Sequence, residues 1–299
     1  MTIPVVRSRS RYVVCSVLGI VSLGAVGCSS DETAVPVVTE PAASATVSTV
    51  PSSPAEPDQW LDTEQRRRID QLISTFENST TEIDYAYAAN IGDGRGVTAG
   101  RAGFTTATCD AAQVVRTYSE KVPENGLAGF LPELDRLCDA DSDDTSGLPE
   151  ADYIAAWTAA ASDDAFRAAQ DAVVDAEYYV PAMTIADQIG LRNVVSRAEL
   201  YDTALQHGVG DDPDGLPSLV ARTTDRVGTP EAAGEAAWLD TFFDVRIDDL
   251  TNPANEATAE QWRESTDRVE CLRTVADNGN SNLDGPVTCT VYGDEFTVR

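Results

Sequence analysis

The chain has 299 residues, 42% of them hydrophobic and 24% charged, with 50 acidic against 21 basic side chains and a formal net charge of −29. That imbalance argues against nucleic acid and anionic membrane surfaces as partners and suits a polycation, which an acidic cleft concentrates electrostatically. With no CxxC and a single histidine, His207, the common zinc patterns are excluded, and no cofactor is expected.

Residues 1–28 read as a lipoprotein-type signal peptide. Arg7, Arg9 and Arg11 make a positive start, Tyr12 to Val26 is an apolar run, and Ala25-Val26-Gly27-Cys28 closes it like a lipidation site. Cys28 would become the lipidated first residue of the mature chain, anchored to the outer face of the cell membrane. Plain secretion is the alternative, because Ala25 stands where such sites usually carry Leu. The run is too short for a membrane span. Its removal takes three of the 21 basic residues, leaving 18 against 50 acidic, a net charge of −32. Residues 29–57 carry Pro36, Pro41, Pro51, Pro54 and Pro57 among Ser, Thr, Ala and acids. Such composition buries no core and reads as a disordered tether. Residues 58–299 are enough for one well-buried domain or two lobes sharing a cleft.

Asp62 and Gln65 form a capping-box-like start for a helix in which Ile69, Leu72, Ile73 and Phe76 recur at helical spacing. Glu77 follows at the rim of that apolar face and at the negative end of the helix dipole. Both influences disfavour the carboxylate and raise its pKa, as a general acid near neutral pH requires. Further on, Asp93 lies within Gly92-Asp93-Gly94-Arg95-Gly96, where glycines turn the backbone sharply and leave room for a ligand. One shielded and one solvated carboxyl is how glycosidases divide acid from base. A surface helix end followed by an ordinary tight turn would use the same residue types.

Glu77-Asn78-Ser79, Tyr85, Tyr87, the run from Ile91-Gly92-Asp93-Gly94-Arg95-Gly96-Val97-Thr98 to Ala99-Gly100, and Gly103-Phe104 together resemble the glycoside hydrolase family 46 chitosanases. The resemblance implies Glu77 as general acid, Asp93 as general base and Thr98 as a holder of the attacking water. It implies substrate contacts at Tyr87, Arg95 and Asp110, the last pairing with a sugar amine; an N-cap for a helix beginning at Ala111 is the other reading of Asp110.

Beyond the glycine turn, Val97 to Thr106 suits short strands. Helical patterns follow from Asp110 through Val114, Val115 and Tyr118, from Leu127 to Cys138, and over 151–160, 163–178, 184–207, 230–250 and 258–276; Val287 to Val298 alternates like a strand or hairpin. Cys109, Cys138, Cys271 and Cys289 allow three pairings. The local pairs, 109 with 138 and 271 with 289, are favoured, each worth roughly 3 kcal/mol in the chain-entropy model. Asp139, Asp141, Asp143 and Glu150 mimic positions one, three, five and twelve of a calcium loop, but Asp144 stands where that loop needs Gly. A solvated acidic loop is the preferred reading.

Gly190-Leu191-Arg192, Tyr201-Asp202 and His207-Gly208 extend the resemblance, as does Tyr292-Gly293-Asp294 near the end. It implies that Asp202 joins Arg246 and Arg268 in a buried charge network behind the acid, while lone His207 is structural. There are departures too. The segment between Glu77 and Asp93 is two residues shorter than in better-known members and lacks their tryptophan. Ala89-Asn90 stands where many carry acids, and extra sequence separates Arg246 from Arg268.

The expected fold is α+β, predominantly α-helical, with a lysozyme-like pair of lobes, a small β-sheet and a cleft between. The expected function is endo-hydrolysis of chitosan or another cationic amino-sugar polymer with inversion. Two rivals are a peptidoglycan-cleaving lysozyme relative and a non-catalytic amino-sugar-binding surface lipoprotein.

Overall fold

The computed structural model describes residues 60–92, 94–140, 144–254 and 259–299. The signal, Cys28 and the tether therefore lie outside the described residues, as do Asp93, Asp141 and Asp143.

Helix α1 (Thr63–Asn78) starts at a capping box: the Gln65 N–H donates to Asp62 Oδ1 at 2.8 Å, and Gln65 Oε1 accepts from the Asp62 N–H at 3.0 Å. Ile69, Leu72, Ile73 and Phe76 bury its apolar stripe, and Ser79 ends it with a left-handed φ of 53°. Strands β1 (Ala88–Asn90), β2 (Val97–Ala99) and β3 (Phe104–Thr105) form an antiparallel sheet in chain order. Thr98 is at its centre, opposite Ala89 on one side and Thr105 on the other.

Four helices pack with that sheet to make the first lobe: α2 (Cys109–Lys121), α3 (Leu131–Ala140), α4 (Glu150–Ala160) and α5 (Asp164–Val174). Trp157 packs between Phe104, Tyr153 and Phe166. A π-helical turn (Asp175–Tyr179) then runs into α6 (Val180–Ile189). The second lobe holds α7 (Val194–His207), α8 (Leu216–Val227), α9 (Pro230–Ala233), α10 (Glu235–Thr251), α11 (Ala259–Arg263), α12 (Thr266–Asp277) and a hairpin of β4 (Val287–Val291) and β5 (Asp294–Val298). Tyr292 and Gly293, with φ 53° and 80°, make its two-residue turn. The fold is thus predominantly helical with small antiparallel sheets, in a lysozyme-like, lobed arrangement. Among the described residues no helix is long and apolar enough to cross a membrane.

Several boundaries differ from the sequence expectation. The patterns at 163–178 and 184–207 are divided elsewhere: the chain stays helical through the π turn and breaks at Gly190, whose φ of 85° caps α6. Gly234, φ 88°, splits the 230–250 pattern, and Ser265 separates α11 from α12. Neither α8 nor β1 was expected. Helix α2 starts at Cys109 with Thr108 as N-cap, so Asp110 is inside the helix rather than capping one that begins at Ala111.

Every residue of α7 is buried, so its charged side chains must find partners in the interior. Glu235 of α10 closes its start, accepting from the Arg192 and Asn193 N–H groups at 3.0 and 2.8 Å. Disulfides join Cys109 to Cys138 and Cys271 to Cys289, the local pairing. Arg101, just after β2, bonds Asp70 of α1 at 2.9 Å and also Asp171 of α5. That guanidinium ties the turn between β2 and β3 to the helix bearing Glu77.

Candidate active site

Glu77 lies in the last turn of α1 with 2% of its surface exposed. Burial pushes its carboxyl up to about 7; Arg268 opposes that shift, and Asp202 adds to it. Burial is deeper than a rim position would give, and it is the dominant cause. Oε1 accepts from Arg268 Nη2 at 2.8 Å, whereas buried Oε2 has no partner among the described residues. A proton on Oε2 would leave the Arg268 bond intact.

Arg268, from α12, also grips Asp202 of α7 twice: Nη2 to Oδ1 at 2.6 Å and Nε to Oδ2 at 2.9 Å. Arg246 of α10 donates to the same Oδ2 at 2.7 Å, to Gln206 Oε1 at 2.7 Å and to Glu199 Oε1 at 2.8 Å. Burial alone would raise the Asp202 carboxyl, but Arg268 and Arg246 outweigh it and hold it below the usual range. Helices α1, α7, α10 and α12 thus meet at one chain of charge. His207 borders it, with Nε2 3.4 Å from Arg246 Nε and Nδ1 3.0 Å from the Asp214 carbonyl. Burial and Arg246 push its pKa down, so the neutral ring donates from Nδ1 and accepts at Nε2.

The glycine turn is shaped by φ values of 78°, 85° and 75° at Gly92, Gly94 and Gly96. A Cβ on Gly96 would be 2.3 Å from Thr106 Oγ1 and 2.7 Å from Thr145 Cγ2, and Thr106 Oγ1 accepts from the Val97 N–H at 3.0 Å. Only glycine fits there. Thr98 is fully buried in β2, Arg95 is half-buried beside the turn, and Tyr87 is half-buried ahead of β1, its carbonyl accepting from the Gly100 N–H at 2.7 Å. Asp93 itself lies outside the described residues.

Asp110 turns one oxygen to its own junction. Oδ1 accepts from the Thr105 and Ala111 N–H groups at 3.1 and 2.8 Å and from the Thr108 hydroxyl. Burial outweighs those bonds and raises its pKa. Asn90 donates to Glu150 at 2.7 Å, which draws the last position of the acidic 139–150 loop toward β1.

Glu199 and Gln206 were not singled out from the sequence. With Asp202 they fall at helical spacing on one face of α7, the signal that could have found them. Tyr292, expected only as part of the closing Tyr292-Gly293-Asp294 match, has a hydroxyl that is buried with no partner among the described residues. Its phenol lies in the field of Arg268 and, more weakly, Glu77.

A buried carboxyl pushed up to about 7 on a lysozyme-like helical fold has what a glycoside hydrolase requires of its proton donor. The sequence pattern of glycosyl hydrolase family 46 matches residues 71–287, and the chain belongs to that family. It is 52% identical over 243 residues to a chitosanase of Bacillus subtilis (strain 168), covering 80% of this chain and 87% of that one. The native chitosanase of Bacillus subtilis MY002 superposes with a TM-score of 0.75 at 49% identity, over 80% of this chain and all of that one. A Gynuella sunshinyii GH46 chitosanase in complex with chitotetraose gives 0.74 at 42% identity, over 80% and 99%.

Proposed function

We propose that the protein is an endo-acting chitosanase that cleaves β-1,4 bonds with inversion, Glu77 as acid and Asp93 as base. The observation that carries this is Glu77, buried yet bonded to Arg268, with a carboxyl pushed up to about 7. Such a group holds a proton at working pH and, having given it up, remains as a carboxylate stabilised by Arg268. Glu77 protonates the leaving glycosidic oxygen as the C1–O bond breaks. Asp93 takes a proton from a water positioned with Thr98, whose oxygen bonds to C1 from the opposite face. One displacement inverts the anomeric carbon, and the two carboxyls should stand roughly 6.5–9.5 Å apart to admit that water.

Charge supports a cationic substrate: a chain with 50 acidic side chains attracts glucosaminium units over neutral sugars. Tyr87, Arg95 and Asp110 are proposed to line the sugar path. One Bacillus subtilis relative is known as an alanine-substituted mutant complexed with 6 GlcN. The proposed organisation is a signal at 1–28, a tether at 29–57 and a catalytic domain at 58–299. Export would suit the two disulfides, with a lipid on Cys28 as the only membrane attachment.

Reducing-end release from chitosan and from peptidoglycan tests the reading, with wild type beside Asp93→Asn. Wild type should act on chitosan and leave peptidoglycan intact, and the variant should lose nearly all activity. Turnover of peptidoglycan alone would refute the substrate.

A further inference from the structure

Five ionisable side chains meet in the interior, and their charges do not cancel. Glu77, Asp202 and Glu199 face Arg246 and Arg268, and none exposes more than 2% of its surface. With every carboxyl ionised the cluster carries one excess negative charge, which an interior tolerates poorly. One proton makes it neutral.

Asp202 is the wrong place for that proton. It is the pivot, each oxygen already accepting from a guanidinium, so protonation would break a charged bond. The two ends are alike. Glu77 Oε1 accepts from Arg268 at 2.8 Å, and Glu199 Oε1 accepts from Arg246 at 2.8 Å. Each leaves a buried Oε2 without a partner among the described residues. Either end can take the proton on Oε2 and keep its arginine.

We infer that Glu199 is a positioning residue for the acid: the buried chain holds one proton that Glu199 and Glu77 share through Arg246, Asp202 and Arg268. The inference rests on Glu77 being the acid. Burial pushes both carboxyls up to about 7, against the pull of the neighbouring arginine in each case, so neither end has a fixed claim. Other neighbours cannot supply the proton. His207, on the same helix, is held neutral by burial. Tyr292, from the hairpin, is pushed up and keeps its own proton. Asp249 of α10, beyond His207, is paired with Arg222 of α8, and Gln206 does not titrate.

Sharing has a consequence for the acid. When Glu199 ionises, its negative charge makes a second ionisation at Glu77 harder, so Glu77 keeps its proton to higher pH.

The test is the pH dependence of kcat on chitosan, together with carboxyl titration by ¹³C NMR of δ-¹³C-glutamate protein. Glu199→Gln keeps an oxygen for Arg246 but cannot ionise. It should move both the alkaline limb of kcat and the Glu77 midpoint down by about 1 pH unit. Glu77→Gln should lower the Glu199 midpoint by the same amount, since coupling is reciprocal. A purely structural Glu199 would leave both midpoints where they are, and that result overturns the inference. Midpoints that shift while the kcat limb stays would leave the proton sharing intact and overturn Glu77 as the acid. Should Glu199→Gln fail to fold, the NMR titration of Glu77→Gln decides the coupling alone.

Discussion

Arg268 reaches Glu77 and Asp202 with the same nitrogen, Nη2 lying 2.8 Å from Glu77 Oε1 and 2.6 Å from Asp202 Oδ1. Glu77, the proposed acid, is therefore oriented from α12 by a side chain that Asp202 of α7 holds in place. Removing the guanidinium takes away the Arg268 partner of buried Glu77 and leaves Asp202 held by Arg246 alone. Arg268→Ala should cost about 3–5 kcal/mol in urea unfolding and abolish hydrolysis. Arg268→Lys should restore little of either, because an ammonium cannot reproduce the fork across Nε and Nη2.

Glu77 also gives stability a pH signature. Its carboxyl rises from an ordinary 4.5 to about 7 in the folded chain, so the folded state binds the proton more tightly. The associated stability is complete below about 4.5 and is lost as pH rises through about 7. Glu77→Gln mimics the protonated form and should gain on wild type over that window, by up to about 3 kcal/mol. Unfolding at pH 4.5, 6 and 8 checks it; a constant difference between the two proteins would contradict the burial argument.

The glycine turn should tolerate change unevenly. At Gly96 a methyl meets Thr106 and Thr145 within 2.7 Å, while at Gly94 nothing lies within 4 Å. Gly94→Ala carries only the left-handed backbone strain, about 1–2 kcal/mol. Gly96→Ala must also displace the hydroxyl that holds the Val97 N–H, and β2 with it. It should lower kcat at least about tenfold with the fold retained by circular dichroism, and Gly94→Ala should do less.

Stereochemistry separates the proposed single displacement from a double one. Early ¹H NMR of the digestion should show new reducing ends as the α-anomer, because a β-linkage attacked once is inverted. β-Anomer first would mean a covalent intermediate, with carboxyls only about 5 Å apart.

Much of this was readable in the chain because local chemistry agreed with the fold. The Asp62–Gln65 box, the stripe ending at Phe76 and the Tyr292-Gly293 turn each specify their own structure. The π turn at Asp175–Tyr179 defeated the periodicity between 163 and 207. One extra residue rotates everything after it by about 100°, so a continuous helix reads as two. Helix α8 has buried Leu216, Leu219, Val220 and Thr223, but the Gly-Asp-Asp-Pro-Asp-Gly run before it hid its start. Glu199 escaped because α7 is buried all round and has no polar face for comparison. In sequence a charge that pairs inside looks the same as one that faces water.

In the proposed mechanism the Glu77 proton goes to the leaving sugar. The direct measurement is kcat for chitosan hydrolysis by Glu77→Gln at the wild-type pH optimum, on protein shown to be folded. A fall of about 100-fold or more is the expected result. A rate within a few-fold of wild type would mean that the proton comes from elsewhere.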